Sequence, residues 1–120
     1  MTSIETGRWG EDLACGYLQR HGYTIVARNV RTRWGEIDCV ARQGRDLYIV
    51  EIKTRRHTAA GSALEQLTYY KQRRLMRLAQ FYCLRHCPPH TQPHIAVVAI
   101  DGDPGAYQIH WLPDAIEVNG

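Results

Sequence analysis

The chain has 120 residues, 15 Lys and Arg against 12 Asp and Glu, a formal charge of +3 and 44% hydrophobic residues. That length and composition fit one globular domain over residues 1–120, with roughly two-thirds of its surface buried in a single core, and exclude a disordered polymer. The longest wholly apolar run, Ile95 to Ile100, falls far short of the ~20 residues of a membrane helix. Glu5, Glu11 and Asp12 stand where an export signal carries a basic start and an apolar stretch, so neither membrane insertion nor export is expected.

Thr2-x-x-Glu5 reads as a capping box opening a helix that Gly22 closes, with Trp9, Leu13, Ala14, Tyr17 and Leu18 at helical spacing. Three strand-like runs follow, Thr24 to Asn29, Glu36 to Ala41 and Leu47 to Lys53, the last two joined by a Gln43-Gly44 turn. After a loop at His57 to Ser62, an amphipathic helix is expected from about Ala63 to about Arg85, stopped by Pro88-Pro89. His94 to Asp101 reads as a buried strand and Ala106 to Leu112 as a final one. The order α-β-β-β-α-β-β predicts an α/β domain on a mixed sheet. Cys15 and Cys39 fall inside apolar patterns, where free Cys acts as a small hydrophobe. Four Cys in a chain with its own core point to a reducing cytoplasm.

The charge is divided unevenly. Residues 1 to 87 hold all 15 basic residues and eight acids, a balance of +7, and residues 88 to 120 hold four acids and no Lys or Arg, a balance of −4. A basic body fits a polyanionic partner. Thirteen of the 15 bases are Arg; the two lysines are Lys53 and Lys71. Such usage marks those two as places where a compact, mobile ammonium is wanted.

Several charges fall on faces that should be apolar. Glu11 shares a helix face with Ala14 and Leu18, beside Gly7 and Gly10, which would let another element approach closely. In the third strand Leu47, Ile49, Glu51 and Lys53 point one way while Tyr48, Val50 and Ile52 point the other. Asp38 shares its strand face with Glu36 and Val40. If the hairpin loop spans Gln43 to Asp46, Asp38 lies directly opposite Glu51, and two carboxylates at that distance repel unless a cation sits between them. Lys71 occupies a position in the Leu64, Leu67, Leu75, Leu78, Tyr82 stripe where another Leu is expected.

Converging carboxylate oxygens suit Mg²⁺ or Mn²⁺, which prefer hard oxygen ligands. Such an ion lowers the pKa of a bound water and neutralises charge on a phosphate, while a nearby Lys stabilises the transition state. Arg31, Arg33, Arg55, Arg56, Arg73, Arg74 and Arg77 would hold a nucleic-acid backbone. Trp9 and Trp34 suit either a core or a stacking platform. Together these residues read as metal-assisted hydrolysis of a phosphodiester.

Glu11, the run Gly35-Glu36-Ile37-Asp38 and the run Val50-Glu51-Ile52-Lys53-Thr54-Arg55 resemble the PD-(D/E)xK nuclease pattern, with Ile37 where the pattern's name has Pro. From about Trp9 to Tyr82, including Asn29-x-Arg31 and Lys71, the chain is similar to the YraN-type family of small proteins, themselves similar to archaeal Holliday-junction resolvases. The resemblance implies an αβββαβ restriction-endonuclease-like core with a mixed central sheet flanked by helices. It also implies Asp38 and Glu51 as ligands to Mg²⁺ or Mn²⁺, Lys53 as the catalytic lysine, Glu11 as a supporting acid and Lys71 as an auxiliary. Branched DNA as substrate and a homodimer, which supplies two active sites for two strands, belong to the same expectation.

Two other readings compete. A non-catalytic nucleic-acid-binding module would keep the fold and the acids for structural reasons, whereas decayed sites commonly lose one of the trio that Asp38, Glu51 and Lys53 make up here. Alternatively, Cys83, Cys87, His90 and His94 offer four zinc-type ligands for a zinc-stabilised interaction protein, although zinc motifs usually place a longer loop between ligand pairs.

Overall fold

A computed structural model of the chain describes residues 2–55 and 68–116. Helix α1 (Ser3–Arg20) opens on the expected capping box: the Thr2 hydroxyl accepts the Glu5 N–H at 3.1 Å and the Glu5 carboxylate accepts the Thr2 N–H at 3.4 Å. A cap of this kind stabilises a helix by about 1 kcal/mol. At the other end Gly22, at φ 89°, takes the left-handed turn that releases the chain into β1 (Thr24–Thr32). Strands β2 (Gly35–Gln43) and β3 (Asp46–Arg55) complete an antiparallel meander. Helix α2 (Tyr69–His86) precedes β4 (Gln92–Asp103), which lies parallel to β3, and β5 (Ala106–Ile116) pairs antiparallel with β4. The sheet order is β1-β2-β3-β4-β5.

The fold is therefore α/β with a mixed five-stranded sheet and a helix on each face, in the element order expected. Ala14, Cys15 and Leu18 of α1 pack on Cys39, Ala41, Tyr48, Val50, Val98 and Ile100. On the opposite face Leu75, Leu78, Ala79 and Tyr82 of α2 pack on Ile37, Val40, Leu47, Ile49 and Ile95. Burying each large aliphatic side chain in these layers contributes roughly 1.5–3 kcal/mol. No helix among the described residues is long and apolar enough to cross a membrane.

Element boundaries differ from the sequence reading in two ways. Thr68, in extended conformation, caps α2 by accepting the Lys71 N–H at 3.3 Å, so the helix opens at Tyr69 rather than about Ala63. Leu64, Leu67, Arg56 and the loop at His57 to Ser62 lie outside the described residues. The strands also run longer than their apolar cores, because ladder hydrogen bonds continue through polar residues such as Arg31 and Thr32.

Candidate metal centre

Asp38 sits where the sheet comes apart. The β2–β3 ladder runs from Gln43↔Asp46 to Cys39↔Val50. One step further, the position opposite Glu51, Asp38 Oδ2 instead of a main-chain carbonyl accepts the Ile52 N–H at 2.8 Å. On its other side Asp38 faces Asn29, which stands unpaired between Arg28↔Cys39 and Val30↔Ile37 at φ 52°. Asn tolerates this left-handed conformation better than most residues. Simple alternation fails at this break. Ile37 and Val40 both join the α2-side core while Cys39 joins the α1-side core, although alternation would group Ile37 with Cys39. Asp38 is thus reachable from both helical layers.

Three carboxylates meet there. Ligand oxygens of Glu11, Glu36 and Asp38 lie within 4.8 Å of one another, the one such metal-sized group among the described residues. The Asn29 amide lies between two of them; assigned so that its nitrogen faces the acids, it donates to Glu36 Oε1 at 3.0 Å and to Glu11 Oε1 at 3.1 Å. Glu11 is brought in by α1, which approaches β3 at Gly10: a Cβ there would collide with Thr54 Oγ1. The expected close approach is made by Gly10, whereas Gly7 has open space around its Cβ position. Arg28 steadies this side, with Nη2 2.8 Å from Asp12 Oδ1 and 3.6 Å from Glu11 Oε2.

The α2 side supplies Glu51, Lys53 and Lys71. Glu51 is buried, 6% exposed, and its carboxylate is 3.3 Å from Lys53 Nζ. Burial and the neighbouring Glu51 charge push the Asp38 carboxyl up to about 7, against the Ile52 N–H that favours its ionised form. Lys71 is drawn below the ordinary lysine range by the neighbouring Lys53 ammonium, then by burial. It also stands in the first turn of α2, where the helix dipole disfavours a cation.

Asp38 therefore meets Glu51 as the hairpin register predicted, and it also joins Glu11 and Glu36. The three-carboxylate group leaves Glu51 outside and recruits Glu36, a residue sequence reasoning did not single out, though its place in the Gly-Glu-Ile-Asp run marked it. Asn29 was also missed; its positive φ leaves no trace in an apolar pattern. The donor set is all oxygen, which fits Mg²⁺ or Mn²⁺.

Of the expected backbone-binding arginines, Arg33, Arg73, Arg74 and Arg77 gather around the exposed Trp34. The Arg33 and Arg77 guanidinium carbons stand 5.0 and 5.3 Å from its ring centroid, and Arg73 and Arg74 line a pocket beside it. Arg31 pairs loosely with Glu36 at 3.7 Å. Arg55, at the end of β3, registers against Asp101, and Arg56 lies outside the described residues. Cys83, Cys87, His90 and His94 do not form a metal-sized group. His94 is held instead by Asp46 and Asp114, 2.7 and 2.6 Å from its two ring nitrogens, and stacks on Tyr48 at 4.7 Å.

The profile of the family described as "Uncharacterised protein family UPF0102" matches residues 10–100, which span every element that places the centre except the first turns of α1 and the last strand. A UPF0102 protein of Syntrophotalea carbinolica is 41% identical over 117 residues, covering 98% of this chain and 95% of that protein. One of Roseiflexus castenholzii is 43% identical over 114 residues, covering 92% of each. One of Herpetosiphon aurantiacus is 53% identical over 76 residues, covering 63% of this chain and 61% of that protein. This agrees with the resemblance to the YraN-type family, and the chain belongs to the UPF0102 family.

Proposed function

We propose that the protein is a Mg²⁺- or Mn²⁺-dependent nuclease that hydrolyses DNA phosphodiester bonds, with branched DNA as the substrate. One observation carries the reading: Asp38, at a break in the sheet, meets Glu11 and Glu36 from one side and the Glu51–Lys53–Lys71 group from the other. A cluster with this excess of negative charge is costly in an apo-protein and is relieved by a divalent cation. Glu11, Glu36 and Asp38 would hold the ion, with Glu51 beside them. When bound, the ion would supply Lewis-acid polarisation and lower the pKa of a bound water.

The chain's own groups do the rest. Lys53, fixed by Glu51, places an ammonium beside the carboxylates, where it would offset charge growing on the phosphoryl oxygens. Lys71 adds a second positive charge next to it. The arginines around Trp34 would fix the backbone of the strand through phosphate contacts, which position without reading sequence. Hydrolysis adds water across a P–O bond, so the attacking oxygen loses a proton and the leaving oxygen gains one; a duplex or junction needs this at two strands. A twofold dimer supplies the two sites.

Supercoiled, linear and four-way-junction DNA incubated with the protein in Mn²⁺ or EDTA test the reading. Cleavage is expected with Mn²⁺, strongest on the junction, and absent with EDTA or in the Asp38→Asn variant. Junction binding without cleavage by the parent protein would favour the non-catalytic module. The mass of the protein–junction complex gives the stoichiometry; a strictly monomeric protein, with and without DNA, removes the dimer.

A further inference from the structure

We infer that the pocket beside Trp34 receives an unpaired base of single-stranded DNA, next to the phosphate held at the carboxylate centre. The inference rests on the nuclease reading and narrows its substrate to a strand with at least one unstacked nucleotide. The pocket, about 420 Å³, is lined by Trp34, Tyr70, Lys71, Arg73, Arg74 and Arg77. Among the described residues this lining carries four basic side chains and no acid, which suits an anionic occupant. Yet two of its walls are large aromatic rings left in water: Trp34 is 42% exposed and Tyr70 87% exposed. Large exposed apolar groups gathered at one site call for a partner. Arginines and aromatic rings together suit a nucleotide, whose phosphate takes the charge and whose base takes the ring.

Trp34 is held ready. It occupies the tight turn between β1 and β2, where the Thr32 hydroxyl accepts the Trp34 N–H at 3.0 Å and donates to the Gly35 carbonyl at 2.7 Å. The guanidinium groups of Arg33 and Arg77 lie near the ring. Such cation–π contacts at an exposed ring are weaker than a base–aromatic stack, and a guanidinium plane itself accepts a stacked base. Bases inside an intact duplex have no free face to offer, so an unpaired one is required. Lys71 is the shared wall: it lines the pocket and lies beside Lys53, which is paired with Glu51. A nucleotide seated here thus has its neighbouring phosphate close to the carboxylates.

Fluorescence anisotropy in EDTA, where cleavage is silent, tests this with labelled oligothymidylate, the same strand carrying abasic sites, its duplex with oligoadenylate, and oligouridylate. The base-bearing single strand is expected to bind roughly 10-fold more tightly than the abasic strand. Trp34→Ala and, separately, Tyr70→Ala, on an exposed helix position, are expected to shrink that ratio towards one, with Trp34→Phe keeping most of it. Equal binding of base-bearing and abasic strands, duplex bound better than single strand, or an unchanged ratio in both alanine variants would overturn the pocket. Oligouridylate preferred to oligothymidylate would overturn the assignment to DNA. Base-dependent binding by a protein that never cleaves would remove the nuclease reading and leave the pocket standing. Cleavage with base-independent binding would remove the pocket alone.

Discussion

At the start of β3, Asp46 and Asp114 grip the two ring nitrogens of His94 at 2.7 and 2.6 Å; near its other end, Asp38 and Glu51 face each other with Glu11 and Glu36 close by. Both regions gather acids around one strand, and they treat them oppositely. In the first, a histidine lies between two carboxylates and the ring rests flat on Tyr48, so hydrogen bonds and charge are satisfied within the fold. In the second, Lys53 answers Glu51 and Arg28 answers Asp12 and Glu11, which leaves Asp38 among like charges. Satisfied acids stabilise a fold, whereas like charges that face one another destabilise it unless a cation lies between them.

The comparison breaks most visibly at Asp38. Asp38→Asn is expected to abolish Mn²⁺-dependent cleavage while leaving the metal-free fold as stable as the parent or more so, since a like-charge repulsion disappears. Thermal melts with and without Mn²⁺ check both halves: the parent should be stabilised by the ion and the variant should not. Should Asp38→Asn unfold the protein, its hydrogen bond to the Ile52 N–H is the structural reason for the acid. Lys53→Ala is expected to stop cleavage by another route. Metal binding survives, but the apo-protein loses about 1–3 kcal/mol because buried Glu51 is deprived of its cation. Calorimetric metal titration beside a denaturant melt separates the two effects.

The two ends of β3 also titrate in different windows. Asp38 is raised to about 7, so the stability linked to its protonated form is complete below an ordinary carboxylate pKa of about 4 and is lost as pH rises towards 7. His94 is raised as well: burial pulls it down, and the bonds to Asp114 and Asp46 outweigh that. Its contribution is complete below about 6.5 and is lost as pH rises through its higher folded value. Apo-protein melting temperature should therefore fall from mildly acidic to alkaline pH. Asp38→Asn should remove the lower part of that slope and His94→Gln the upper part. Mn²⁺ should flatten the Asp38 part alone. A slope unchanged by either variant would assign the pH dependence elsewhere.

The smallest effect concerns Lys71. Its ammonium faces Lys53 and stands at the positive end of α2. Lys71→Leu is expected to raise stability by a few tenths to about 1 kcal/mol while lowering cleavage. An activity equal to the parent's would remove Lys71 from the site.

Much of this was legible in the residues. The Gln43–Asp46 turn set the hairpin register, and counting back from it put Asp38 opposite Glu51, one step past the last ladder pair, Cys39↔Val50. Helical spacing identified Lys71 as a misplaced charge, and its contact with Lys53 is real. What was hidden depends on the chain leaving its regular pattern or on distant partners. Alternation cannot announce that Asn29 turns left-handed, so neither the change of face at Asp38 nor the Asn29 bridge to Glu11 and Glu36 could be read. His94 looked like a zinc ligand because its neighbours in sequence are cysteines and histidines, whereas its partners lie 20 and 48 residues away.

We propose that the acids around Asp38 are a divalent-cation site and that the satisfied acids around His94 are not. Electron paramagnetic resonance of Mn²⁺ titrated into the metal-free protein at neutral pH, for the parent, Asp38→Asn and His94→Gln, tests it most directly. The account predicts ion binding by the parent and by His94→Gln, and its loss in Asp38→Asn. A parent that leaves Mn²⁺ free in solution, or an Asp38→Asn variant that binds it equally well, would contradict the account.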